Sequence, residues 1–305
     1  MDELPLGTTG ADTARPGAAQ DTLAAATTMG EVTLKVADLD RMIAYYADAV
    51  GLQLLAQEGE RAVLGRPGVP SLALERDGAL RHAPAGAAGL YHTAFLFGAE
   101  ADLASAVYSV ARAHPASFTG SSDHLVSKAL YFDDPEGNGV ELYWDRPRAA
   151  WDWDGGRVRI GSVWLDPNAF LSEHLTEAGL TAPTGGDTRV GHVHLKVGDI
   201  GTARAFYVDT VGFEVTAEFG AQALFVSAGG YHHHLGMNTW ESRGAGDRTP
   251  ALGLGEVSIR VPSADDLGAL RERLAARAVP TRDDGRELSF EDPWRNRVRV
   301  GVDVG

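Results

Sequence analysis

The sequence predicts an α+β protein built from four β-α-β-β-β units arranged in two halves. Three internal matches predict it. GEVTLKVADLDRMIAYYADAVGL at 30–52 lies over GHVHLKVGDIGTARAFYVDTVGF at 191–213 without a gap, so that Lys35, Asp38, Tyr46 and Gly51 are answered by Lys196, Asp199, Tyr207 and Gly212. HTAFLFGAEADLASAVYSVARAH at 92–114 lies over EVSIRVPSADDLGALRERLAARA at 256–278. LYFDDPEGNGVELYW at 130–144 lies over LSFEDPWRNRVRVGV at 288–302. Repetition of this kind marks an architecture assembled from one supersecondary unit.

The elements follow in order. The first unit, 29–76, opens with the period-two alternation of a half-buried strand, turns at Asp38, and continues with Met42, Tyr45, Tyr46 and Val50 on one helix face. Gly51 is placed to cap that helix. Short strands with Gly-rich turns follow in RAVLGRPGVPSLALE. The second unit, 89–146, runs from the strand GLYHTAFLF through a helix to the first copy of the repeated hairpin. A Trp- and Gly-rich connector, 147–188, leads to the third unit, 189–242, which repeats the first with Gly212 as the helix cap. The fourth unit, 251–302, repeats the second. The expected organisation is an irregular arm at 1–28, a half at 29–146, the connector, and a second half at 189–305.

Composition narrows the function. Hydrophobic residues make up 44% of the 305, which is enough for real cores. The absence of cysteine removes disulfides, thiolate metal sites and cysteine nucleophiles together. A net charge of −15, from 42 acidic against 27 basic residues, argues against nucleic acid as a partner. No apolar run is long enough to cross a bilayer, and the acidic start MDELPLGTTG lacks the apolar stretch of a secretory signal. A cytoplasmic protein with no membrane partner is expected. Ten histidines and many carboxylates are the available metal donors.

The repeat allows the same position to be read four times. At the first strand, units one to four carry Glu31, His92, His192 and Glu256. At the last strand the alignment assigns Pro70, Glu141, His233 and Arg299. Polar residues in otherwise apolar strands are costly unless paired or coordinating. An isolated strand histidine is ordinarily a satisfied core or surface residue; equivalence across units singles these out. The second and third units can together hold a divalent metal, and two imidazoles with one carboxylate form the facial triad of non-haem Fe(II) sites. The first and fourth units supply two carboxylates, a proline and an arginine, and are expected to hold none. In His232-His233-His234, strand alternation lets either His233 or both its neighbours face inward.

At GLYHTAFLF, SSDHLVSKALYFDDPEGNGVELYWDRPR, GHVHLKV and SAGGYHHHLGMNTW the sequence resembles the vicinal oxygen chelate superfamily. More narrowly, it resembles the type I extradiol ring-cleaving dioxygenases of the catechol 2,3-dioxygenase kind. The resemblance covers most of the chain. It implies the glyoxalase/bleomycin-resistance/extradiol dioxygenase fold and meta cleavage of a catechol-type substrate by O2 at Fe(II). Carried over by position, it implies His92, His192 and Glu141 as ligands, His233 as the acid–base group, and Tyr131 and His124 as hydrogen-bond donors to the substrate. Better-known members of this kind take their ligands within the C-terminal half. Here Glu256 and Arg299 stand where that arrangement wants His and Glu, so the site requires the second unit to pair with the third. Mn(II) suits the same donors. A glyoxalase-like lyase or isomerase and a non-catalytic binding protein of this fold are the alternatives. The particular catechol and the subunit number are left open, and a homo-oligomer is compatible with the sequence.

Overall fold

The computed structural model describes residues 21–154, 157–183 and 186–303. Most of the arm expected at 1–28 lies outside them. The first unit comprises β1 (Thr28–Val36), α1 (Leu39–Ala44), β2 (Gln53–Glu58), β3 (Arg61–Arg66) and β4 (Val69–Arg76). The second comprises β5 (Gly89–Phe97), α2 (Glu100–Ala113), β6 (Phe118–Asp123), β7 (Ser127–Asp133) and β8 (Gly139–Asp145). The connector carries a small hairpin, β9 (Trp153–Asp154) and β10 (Arg157–Val158), and α3 (Pro167–His174). Then come β11 (Arg189–Lys196), α4 (Ile200–Phe206), β12 (Glu214–Phe219), β13 (Ala223–Ser227) and β14 (Leu235–Asn238). The fourth unit is β15 (Gly253–Val261), α5 (Ala264–Ala276), β16 (Thr281–Asp283), β17 (Glu287–Glu291) and β18 (Arg297–Val302).

Local chemistry explains the repeated helix. The carboxylates of Asp38 and Asp199 accept from the backbone N–H of Arg41 and Thr202 and so cap α1 and α4. Each helix runs into a π-helical turn, Tyr45–Val50 and Tyr207–Val211, and ends at a glycine in the left-handed region, Gly51 at φ +93° and Gly212 at φ +97°. No helix among the described residues is long and apolar enough to cross a membrane.

The described strands form two eight-stranded curled sheets, and each draws on both halves of the chain. β5 pairs antiparallel with β11, joining the second unit to the third; β1 pairs antiparallel with β15, joining the first to the fourth. Alternation then sorts the side chains. Thr93, Phe95 and Phe97 point to the helix side, where they and Val193, Leu195, Leu130 and Leu142 are buried. His92, Ala94 and Leu96 point to the opposite, concave face, as do Glu141 and Tyr143 of β8. The helix sides of both sheets share one continuous apolar core with α1, α2, α4 and α5. The concave faces remain as two cups.

The register corrects two positions of the sequence alignment. Glu141 sits beside Ala94, two residues beyond His92, and Arg299 sits beside Ser258, two beyond Glu256. The same step leads from His192 to Gly236 and from Glu31 to Ala73. Gly236 and Ala73, not His233 and Pro70, are therefore the equivalents of Glu141. Turns before the last strand differ in length between units, and a gapless alignment there hides the shift.

Candidate metal centre

The cup formed by the second and third units holds a cavity of about 950 Å3. At its floor, Glu141 Oε2 lies 2.9 Å from His92 Nε2 and 3.1 Å from His192 Nε2. The three side chains are buried, and their donor atoms all lie within 4.8 Å of one another. His92 Nε2 makes no aligned hydrogen bond despite its closeness to the carboxylate, a costly arrangement for a buried nitrogen unless something else meets its lone pair. Ligands bound at about 2.1 Å and at right angles stand about 3 Å apart, so each imidazole is spaced from the carboxylate as a neighbouring ligand of one ion would be. The donor set fits a divalent metal.

Electrostatics keeps the donors ready. Burial raises the Glu141 carboxyl, but the neighbouring His192 and His92 outweigh it and hold it well below the ordinary carboxylate range. Burial lowers His192 to about 4, against which Glu141 pulls upward. At neutral pH Glu141 is thus a carboxylate beside a neutral His192.

The other sequence-predicted residues surround this floor, in two hydrogen-bonded chains. His124 Nδ1 lies 2.7 Å from the Gly161 carbonyl oxygen and must donate to it. A neutral His124 then accepts at Nε2, so Tyr131 Oη–H donates there at 2.7 Å. Burial and the Glu141 charge push Tyr131 well above the usual phenol range, which keeps it protonated. On the other side, Asp145 Oδ1 accepts from His232 Nε2–H at 2.9 Å. With His232 neutral, its Nδ1 accepts from His233 Nδ1–H at 2.8 Å, leaving the Nε2 lone pair of His233 uncommitted. Burial holds His233 well below the ordinary imidazole range. Asp145 also accepts from Tyr231 Oη at 2.7 Å, and Tyr231 in turn meets Tyr143 Oη at 2.8 Å.

Three features escape the sequence reading. His232 and His233 both line the cavity, and His234 accepts from the Ala228 N–H instead. Residues 231–234 precede β14 as irregular backbone, so strand alternation does not apply to them. His194 shares the face of His192, packs 5.0 Å from the His92 ring and is bonded to Asn238 at 3.1 Å. Its ring occupies the space left by Gly236, where a Cβ would come within 3.0 Å of it. Period two from His192 points to His194, and period two from Glu141 points to Asp145. His232 has no such signal.

In the opposite cup the equivalents of His192, His92 and Glu141 are Glu31, Glu256 and Arg299. Arg299 Nε lies 2.6 Å from Glu256, its Nη2 3.6 Å from Glu31 and its Nη1 3.0 Å from Glu287. A guanidinium tethered by its own chain stands among the carboxylates there. The Arg299–Glu256 pair is one edge of a partly buried cluster that includes Arg61.

The sequence profile of the Glyoxalase/Bleomycin resistance protein/Dioxygenase superfamily matches residues 28–142 and 189–300, and the chain belongs to that superfamily. Within it, the chain is 34% identical to the catechol-2,3-dioxygenase of Bacillus subtilis (strain 168) over 272 residues, 88% of this chain and 94% of that one. Solved structures show the same architecture. One from Bacillus subtilis subsp. subtilis str. 168 matches with a TM-score of 0.61 at 16% identity, covering 91% of this chain and 86% of that one. Glyoxalase I from Zea mays matches with 0.56 at 17% identity, covering 91% and 92%. At those identities the likeness shows the fold alone.

Proposed function

We propose that the protein is an extradiol dioxygenase that opens a catechol-type ring with O2 at an Fe(II) held by His92, His192 and Glu141. The observation that carries this reading is the convergence of two imidazole Nε2 atoms on one carboxylate oxygen, at 2.9 and 3.1 Å, on the floor of a cavity of about 950 Å3. The similarity to a catechol-2,3-dioxygenase over most of both chains supports it. Bound there, Fe(II) would supply the Lewis acidity that favours an ionised catechol oxygen and the redox capacity for O2.

The chain's own residues would do the rest. His233, held with its proton on Nδ1 by the His232–Asp145 chain, presents Nε2 as a base for a catechol hydroxyl proton and can return it later. On the other side Tyr131 would turn its one hydroxyl proton from His124 Nε2 to a substrate oxygen, with His124 positioning the phenol.

The test is anaerobic loading of the purified chain with Fe(II), measurement of bound iron, and addition of catechol in air. A yellow ring-fission product with matching O2 uptake is expected. Glu141→Gln should lose the iron; unchanged iron content in that variant would refute the ligand assignment. A second reading rests on a second donor group, His192, His232 and His233, also within 4.8 Å. If His233 joined the ligand set, a glyoxalase-like lyase would be favoured, and turnover without O2 uptake would identify it.

A further inference from the structure

One wall of the cavity is a run of rings from floor to mouth. Phe225 packs 5.0 Å from His233 and 5.5 Å from His194, and Phe219 packs 5.9 Å from Phe225. Trp240 stands 5.7 Å from His194 and 5.4 Å from Tyr91. Despite these contacts Phe219 is 53% exposed and Trp240 52% exposed, both at the cavity. Large apolar side chains left uncovered at the entrance of a concave site mark a surface that a ligand covers.

Charge narrows the ligand. Among the described lining residues Lys196 is the only lysine or arginine, and Glu241 lies 3.8 Å from it. Asp133 adds a second carboxylate at the mouth, close enough that Glu241 helps raise its pKa after burial does. A carboxylate on the substrate would meet two like charges at the mouth, Asp133 and Glu241, against that one lysine. The cavity is also far larger than one six-membered ring requires, near the top of the ~300–1,000 Å3 range for small-molecule pockets.

On the ring-cleavage reading above, we propose that the substrate is a catechol carrying an uncharged aryl or alkyl substituent that rests on Phe219 and Trp240, and that carboxylated catechols are rejected. The substituent is what covers the exposed rings, and Phe219, Trp240 and Glu241 are the specificity-determining residues.

The experiment compares 4-phenylcatechol, catechol, 3,4-dihydroxybenzoate and 4-(2-aminoethyl)catechol on the iron-loaded full chain, by kcat/KM and by anaerobic calorimetric binding. 4-Phenylcatechol should exceed catechol by at least about 10-fold in both measures, and the benzoate should fall at least about 10-fold below catechol. Phe219→Ala and Trp240→Ala, each at a half-exposed position, should shrink the phenyl preference toward unity. Glu241→Lys should narrow the gap between the benzoate and catechol. Equal binding of the four compounds, a best ligand bearing either charge, or a phenyl preference untouched by both alanine variants would overturn the proposal. If no catechol is opened but binding follows the expected order and depends on Phe219 and Trp240, the ring-cleavage reading fails and the apolar subsite stands.

Discussion

Two histidines illustrate how burial and one neighbour decide what an imidazole does. His233 has its ring proton directed at His232, which is itself committed to Asp145. Asp145→Asn places an amide where the carboxylate accepted, and its N–H can reverse the His232 tautomer and with it that of His233. Bound iron should be unchanged, while turnover falls about 10–100-fold, the usual cost of losing an outer hydrogen-bond partner at a metal site. Imidazole 15N shifts of the metal-free protein should show the tautomers exchanged, which a merely local packing defect would not do. His234 has a different task. Burial, then the neighbouring His232 and His192, hold it at about 3, and its Nδ1 accepts from the Ala228 N–H. The unfolded chain binds that proton near pH 6.5 and the folded chain does not, so stability falls as pH drops from about 6.5 toward 3. The loss from this one group is of the order of a few kcal/mol. Urea midpoints at pH 7 and pH 4.5 should therefore converge in His234→Gln relative to the parent chain.

At the scale of elements, each repeated motif has a mechanical reason. The Asp-Pro turns of the two aligned hairpins close through Asp134 with Asn138 and through Asp292 with Asn296. Those same carboxylates accept from Tyr46 Oη and Tyr207 Oη, each at 2.9 Å, and so tie the helix of one unit to the hairpin of the next. The last strands carry the difference between the cups. Glu141 on β8 completes a cation-binding floor, whereas Arg299 on β18 fills the equivalent floor with a guanidinium. Arg299→Met would leave Glu31, Glu256 and Glu287 facing one another in a partly buried space. A loss of about 1–3 kcal/mol at pH 7 is expected, between the values for exposed and buried ion pairs. Burial already raises the Glu31 pKa against the pull of Arg61 and Arg299, so this carboxyl takes up a proton readily as pH falls. The penalty should shrink at pH 5, as read by urea denaturation at both pH values, with iron content unaffected.

At the scale of the whole molecule, the two sheets are stitched across the chain's midpoint. His92 and Glu141 come from the N-terminal half and His192 from the C-terminal half, so neither half contains the three-donor floor. Residues 1–150 expressed alone would also leave the β1 and β5 edges unpaired. That fragment should associate nonspecifically and bind iron substoichiometrically, while co-expression with residues 151–305 should restore one iron per pair; metal analysis after size-exclusion chromatography checks it. Much of this was legible beforehand. Period two and 3.6 periodicity are written in neighbouring residues, so the four units, the Gly51 and Gly212 caps and the residue types of the floor could be read directly. The mismatch of Arg299 with Glu141 even indicated which units must meet. The rest depends on distant parts of the chain. Turn lengths moved the equivalents of Glu141 to Ala73 and Gly236, and irregular backbone before β14 brought His232 inward beside His233. The sequence by itself determined a repeated α+β chain with two imidazoles and a carboxylate at matching positions. Only the tertiary structure decided how the relays of Asp145 and Tyr131 orient around them and which rings wall the cavity. Periodicity records which face a residue takes within its own strand, while pairing between strands records what stands opposite, and the chemistry of this cup depends on both.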